Sequence, residues 1–203
     1  MLEIYKEKFN DLLIWRPTYG LTQKVDHLDK IDTEGKDLKM KENAHRGTYI
    51  EGLTTLSVVS EDELIEVLQL GEQNRHVGHT NVNQHSSRSH SIFMIEIIQR
   101  YPNDAVKRGV INLVDLAGSE RVSKSFAQGE SLQEAKKINQ SLSTLGKVIN
   151  CISRKLGHIP YRDSKLTRLL KESLGGNNKT TLIVNCSVHS SQIEETLSTL
   201  RFA

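Results

Sequence analysis

The sequence predicts an α/β fold in which a mostly buried, mixed sheet is flanked by helices. Residues 91–98 (Ser-Ile-Phe-Met-Ile-Glu-Ile-Ile) and 109–114 (Gly-Val-Ile-Asn-Leu-Val) are short β-branched runs, the signature of buried strands. Residues 130–152 instead repeat apolar side chains every three or four positions, the spacing of a helix that buries one face. Two polar loops lie where the apolar strands begin or end, and ligands of α/β sheets gather at such edges.

Residues 2–12 read as a strand and turn, followed by a polar, charged stretch from Pro17 to Gly47 with a small hairpin near Leu38 to Lys41. Ser60 and Glu63 have the spacing of a capping box that opens a helix through Leu64, Val67 and Leu68 toward Asn74. Strands are expected over 92–99 and 110–115. The long helix over 130–152 turns Leu132, Ala135, Ile138, Leu142, Leu145, Ile149 and Ile152 inward, leaving Lys136, Lys137, Gln140, Ser143 and Lys147 outside that stripe. A second basic helix begins at Asp163 or Ser164, buries Leu166, Leu169 and Leu170 and stops at Gly175. A last strand is expected over 181–186. No hinge divides the chain, and no internal repeat appears.

The two loops are Asn83-Gln84-His85-Ser86-Ser87-Arg88-Ser89-His90 and Asp115-Leu116-Ala117-Gly118-Ser119-Glu120. Their residue types suit sensing of a nucleoside triphosphate. A carboxylate at a strand end, Asp115, holds Mg²⁺ through its water shell; a serine hydroxyl, Ser87, ligates the metal; and Gly118 offers a backbone N–H to the γ-phosphate. Arg88 and Glu120 are opposite charges able to latch the loops once both have closed. Taken singly, either loop is equally well a plain strand exit or a helix-capping turn; the pair together is far more specific.

These two segments resemble switch I and switch II of the kinesin motor domain. The resemblance continues through Leu2 to Leu13, Tyr49 to Thr54, Lys137 to Gly146, His158 to Leu170, Leu174 to Asn177 and Glu195 to Ala203, in family order and over essentially the whole chain. It implies a partial kinesin-type P-loop NTPase fold, residues 1–203 being one motor domain truncated at both ends. It also implies binding of ATP and Mg²⁺ through Ser86, Ser87, Asp115 and Gly118, and hydrolysis served by Arg88, Glu120 and Asn139, whose amide helps hold the latch or an attacking water. A microtubule, that is tubulin, is the implied partner. Lys124, Lys136, Lys137, Lys147, Arg154, Lys155, His158, Arg162, Lys165 and Arg168 form the implied footprint. A cytoplasmic, cytoskeletal location follows from the same resemblance, and dimerisation is left to coiled-coil regions outside this chain.

One family element is missing from the sequence. No Gly-x-x-x-x-Gly-Lys-Ser/Thr loop occurs, and the nearest segment, residues 175–181, lacks the glycine before its lysine and follows a helix instead of a strand. The chain is therefore expected to carry the part of the domain beyond the phosphate loop. As it stands it would bind microtubules without turning over ATP. Phe126 also departs from the family, standing in the loop after switch II where glycine is common.

Composition narrows the alternatives. The 203 residues are 36% hydrophobic and 26% charged, enough for a core of single-domain size. Cys151 and Cys186 sit in apolar contexts without metal-ligand spacing, as reduced core cysteines do. No apolar run approaches the ~20 residues of a membrane span, so no membrane insertion is expected. His76, His79, His85 and His90 lie close in sequence, but their spacing is poor for zinc and no cysteine or carboxylate completes it.

The formal net charge of +2 hides an asymmetry, because residues 121–171 hold eleven Lys/Arg against three acids. That segment is +8, which leaves −6 for the remainder. Such a patch attracts a polyanion. Only Phe126 and Tyr161 supply aromatic rings within it, poor provision for stacking bases, so nucleic acid is the weaker candidate and an acidic protein surface the better one.

Overall fold

The computed structural model describes residues 1–14, 38–43, 47–77, 88–118 and 130–202, with the side chains of the long helix described from Lys137 onward. The chain forms two compact units, Met1–Lys39 with Ile50–Ala117, and Met40–Tyr49 with Gly118–Ala203.

The first unit is built on a four-stranded sheet. Strand β1 (Leu2–Tyr5) and β2 (Lys8–Asp11) form a tight hairpin pairing Leu2 with Asp11 and Tyr5 with Lys8. Its two turn residues, Lys6 and Glu7, both have positive φ (50° and 59°), the backbone of the turn that matches strand twist. The second unit contributes most of the hairpin of β3 (Lys39–Asn43) and β4 (Gly47–Glu51), close to where the sequence suggested one. Helix α1 (Glu61–Val77) follows. It opens on the expected cap: the Glu63 N–H donates to Ser60 Oγ at 3.2 Å, while the Glu63 carboxylate accepts from Val59 N–H at 2.8 Å.

Strands β5 (His90–Arg100) and β6 (Val106–Asp115) complete the sheet in the order β2-β1-β5-β6. The β1–β2, β1–β5 and β5–β6 ladders are all antiparallel. β1 is only four residues long and pairs with residues 90–92 of β5, so the sheet is thickest there. Leu2, Ile4 and Ile92 are fully buried, and Met1, Leu12, Leu13, Val67 and Phe93 form a cluster against which Leu64, Leu68 and Ile95 pack. The leucines of α1 are thus core, as expected. Asp11 fixes the chain leaving the hairpin by accepting the N–H groups of Leu13 (2.9 Å) and Thr54 (2.7 Å). Asn74 donates to the carbonyls of Leu12 and Ile14.

Two expectations about the sheet change. It is not mostly buried: from Glu96 onward β5 is exposed, and β6 is exposed along nearly its whole length, with Val110 at 58% and Leu113 at 53%. Apolar composition marks a strand that can be covered, but burial needs an element laid on it. Residues 181–186 form no strand; they run without a ladder and leave Ile183 80% exposed. β-Branched sequence supplies the tendency, whereas a strand exists only where neighbouring backbone accepts its hydrogen bonds, and this segment groups with the second unit while the four-stranded sheet belongs to the first.

In the second unit α2 (Glu130–Ser153) is the long helix expected. Leu145 and Val148 are buried, together with Ser141 and Thr144. The helix ends in a Schellman motif, with the Lys155 N–H donating to Ile152 O at 2.9 Å and the Leu156 N–H to Cys151 O at 3.0 Å. Lys155 takes the left-handed position (φ 53°) usually given to glycine. A 3₁₀ turn (Tyr161–Asp163) then leads into α3 (Lys165–Leu169), capped by Ser164, which accepts the Thr167 N–H at 3.1 Å. The second basic helix is two short ones, because the backbone departs from helical geometry at Leu170 (φ −87°, ψ 10°) before α4 (Lys171–Gly175). The stop falls one residue later than expected. Gly176 is the cap, and Gly175 is needed because a side chain there would strike the Tyr161 hydroxyl. A second 3₁₀ turn (Ser190–Gln192) precedes α5 (Ile193–Phe202).

Candidate nucleotide-sensing site and cationic face

The register of the β5–β6 ladder decides the geometry of the first unit's polar end. Ser91 lies opposite Asp115, so the chain reaching β5 through Arg88 and Ser89 and the chain leaving β6 through Leu116 and Ala117 are neighbours. Gly118 is the next residue. The described parts of the two motifs, Arg88 to His90 and Asp115 to Ala117, therefore meet at one end of one ladder.

What ties that end together is Arg75, from the last turns of α1. Its side chain is only 4% exposed; it donates to Asp115 Oδ2 at 2.7 Å and to the Ser89 carbonyl at 3.1 Å. One guanidinium thus joins α1, the start of β5 and the end of β6. Asp115 is 69% exposed, so one carboxylate oxygen is engaged by Arg75 while the group as a whole faces solvent. His90 supplies a second tie. It is buried, and its Nδ1 accepts the Ala117 N–H at 3.0 Å. Burial pushes its pKa down to about 4, the Arg75 charge adding to this and the Asp115 charge opposing it. The ring is therefore neutral at pH 7, with its proton on Nε2, and is a structural acceptor here.

Neither role was read from the sequence. For Arg75 a signal existed: Leu64, Val67, Leu68, Gly71 and Arg75 share one helical stripe, and a cation on an apolar stripe must find a buried partner. For His90 there was none, since its partner is a backbone amide 27 residues away.

Of the predicted site residues, Asp115 and Gly118 lie at the polar end of the ladder, and Arg88 begins β5's approach, half-buried. Ser86, Ser87, Glu120 and Lys124 lie outside the described residues, as does Phe126, and with them the Arg88–Glu120 latch. Asn139 lies half-buried on α2, in the second unit. Among the described residues one donor suited to Mg²⁺ is present, Asp115, a solvent-facing carboxylate oriented by Arg75 and of the type that holds this ion through water.

The second unit carries the cationic face. Lys137, Lys147, Arg154, Lys155, His158 and Arg162 are all exposed, while Lys165 and Arg168 on α3 are half-buried. The side chain of Lys136 lies outside the described ones. α2, the 3₁₀ turn and α3 pack on one another through Leu145, Val148, Leu166 and Leu169, so the charges are the outward residue of a buried seam. Thr167 fixes the turn to the helix, its hydroxyl donating to the Tyr161 carbonyl at 2.8 Å.

The chain belongs to the kinesin motor domain family, whose model matches residues 1–203. It is 51% identical over 202 residues to Kinesin-related protein 5 of Dictyostelium discoideum, covering 99% of this chain and 19% of that protein. Among solved structures it is similar to a fast kinesin at 49% identity and a TM-score of 0.81, covering 99% of this chain and 52% of that one. A second likeness is to KIF14 bound to a microtubule with AMP-PNP, at 42% identity, a TM-score of 0.80, and 99% and 55% coverage. The chain thus spans about half of the solved chains it resembles and a fifth of the first curated relative. Among the described residues no helix is long and apolar enough to cross a membrane.

Proposed function

We propose that this chain is the nucleotide-sensing and track-binding portion of a microtubule-based motor. The observation that carries the reading is the exposure of Lys137, Lys147, Arg154, Lys155 and Arg162 around the packed α2–α3 elements, in a chain of the kinesin motor domain family. An acidic protein lattice is the partner such a row fits, and tubulin is the partner of the solved relative above.

On the nucleotide side, Ser86, Ser87, Asp115 and Gly118 are assigned to ATP, with Ser87 and Asp115 toward Mg²⁺. The metal, when bound, would neutralise charge on the phosphates. Arg75 holds the Asp115 carboxylate in place, and the neutral His90 ring fixes the loop that presents the Gly118 N–H. Arg88 with Glu120 is assigned to closing the site around water, aided by Asn139. Loop closure would then shift α2 on the microtubule. Gripping the triphosphate requires a phosphate loop, which this sequence does not contain, so ATP turnover depends on such a loop being supplied.

Cosedimentation tests the binding half. The chain should pellet with microtubules, and Lys137→Glu, Arg162→Glu and Lys165→Glu together should weaken this by at least about tenfold at low salt, the loss shrinking as salt screens the surface. Charge-insensitive cosedimentation would overturn the footprint. Microtubule-stimulated ATP hydrolysis by the purified 203-residue chain would overturn the dependence on a supplied phosphate loop.

A further inference from the structure

In the second unit Glu42 is held against a cation that continues the basic segment, with Asp163 and Glu172 the other acids beside it. Glu42 projects from β3 on the same side of the strand as Met40, and Lys171, the first residue of α4, donates its Nζ to Glu42 Oε1 at 2.5 Å. Both side chains are more than a third exposed, 38% for Lys171 and 35% for Glu42, so the pair lies at the surface and is open to competition from outside. The Lys171 hydrogen bond and charge hold the Glu42 carboxyl below the usual range, with smaller contributions from the fields of Arg162 and Arg168. Arg162 and Arg168 belong to the proposed footprint, and Lys171 opens α4 just beyond α3.

The hairpin that carries Glu42 is seated against α4 at a second point. At the start of β4, Gly47 adopts φ 68°, and a side chain there would run into Glu172. Glu42 is thereby presented to Lys171 by two contacts on one short hairpin. The geometry places a carboxylate where an acidic side chain of a docking surface would otherwise sit.

We propose that Glu42 is an internal competitor for the cationic face: it occupies Lys171 in the free chain, and an acidic side chain of the microtubule surface takes its place on docking. The proposal rests on the microtubule reading above. It makes the β3–β4 hairpin a brake on track affinity, set by one charge. An ion pair between two exposed partners adds little to folding, so its exchange for an external partner costs little. Removing the Glu42 charge leaves Lys171 to the acidic lattice without competition and, to a smaller extent, strengthens the attraction of Arg162 and Arg168 for it, which is why Glu42→Gln should tighten binding.

The test is cosedimentation of the chain and of Glu42→Gln with intact microtubules over a salt series. Glu42→Gln should lower the half-saturating tubulin concentration about threefold at low salt, with the gain fading as salt rises. In a Lys171→Gln background the same substitution should give less than half of that gain, since the bond being competed for is gone. Binding by both chains with equal affinity overturns this inference alone. Failure of both to bind overturns the microtubule reading and this inference with it. Loss of the folded circular-dichroism signal in Glu42→Gln also overturns it, because the pair would then be a support of the fold and not a competitor.

Discussion

The two ends of the β5–β6 ladder share strands, pairing and apolar composition, yet one is packed and tied while the other is bare. At the polar end, Ile92 is fully buried between β1 and β6, Ser89 and His90 are buried beside it, and Arg75 and His90 bind chain on both strands. Three residue pairs further along, Ile95 faces Ile111, which is 46% exposed. The difference lies in what is laid on the ladder. β1 reaches only residues 90–92 of β5, and α1 puts Val67 and Arg75 over the same end. Burial and side-chain ties are concentrated where the nucleotide is proposed to be read.

The contrast can be broken most strongly at Ile92. Ile92→Ala removes a buried side chain where the surroundings cannot collapse, and should cost about 3 kcal/mol in the urea unfolding free energy. A loss below about 1 kcal/mol would mean that this end is not the packed one.

Acid should act on the same end next. The folded pKa of His90, about 4, lies below the unfolded value of 6.5. Between these values the unfolded chain takes up a proton that the folded chain refuses, so stability is present above pH 6.5 and is lost as pH falls toward 4. The expected loss between pH 7 and pH 5 is about 2 kcal/mol from this residue. His90→Asn, whose side-chain oxygen can still accept the Ala117 amide, should flatten that part of the profile; an unchanged slope would assign it to other groups.

Arg75→Met keeps the length of the stem and discards the bonds to Asp115 and Ser89. It should cost about 1.5 kcal/mol and raise amide exchange at residues 89–91 and 115–117 while leaving the hairpin β1–β2 protected. Uniform exchange across the sheet would show that Arg75 does not tie this end in particular. The smallest effect belongs to the bare end, where Ile111→Thr should shift stability by under about 0.5 kcal/mol. A cost comparable to Ile92→Ala would mean that this surface is covered in solution.

Much of the architecture was legible because it rests on local signals. The Ser60–Glu63 spacing located the start of α1, the Ser164 hydroxyl the start of α3, and the stripe through Leu142 and Leu145 the buried face of α2. Val148, fully buried on that face, sits in the same stripe and was passed over. The lysine at the left-handed end of α2 was not legible, since Lys155 pays a conformational penalty that only the two Schellman hydrogen bonds offset. Asp115 and Gly118 stand out in the sequence by residue type and motif alone, whereas Arg75 and His90 acquire their contacts only through partners distant in sequence.

The sequence by itself determined most of the element types, the starts of α1 and α3 and the family, because these depend on periodicity, side-chain chemistry and motif order within a few residues. Tertiary structure alone decided which strands are covered, that residues 181–186 stay unpaired, and that a guanidinium from α1 holds the Asp115 carboxylate. Burial and pairing are properties of the neighbour as much as of the residue. A run such as Val110 to Leu113 can state that it would be stable if covered, but only the position of other backbone and side chains determines whether anything covers it.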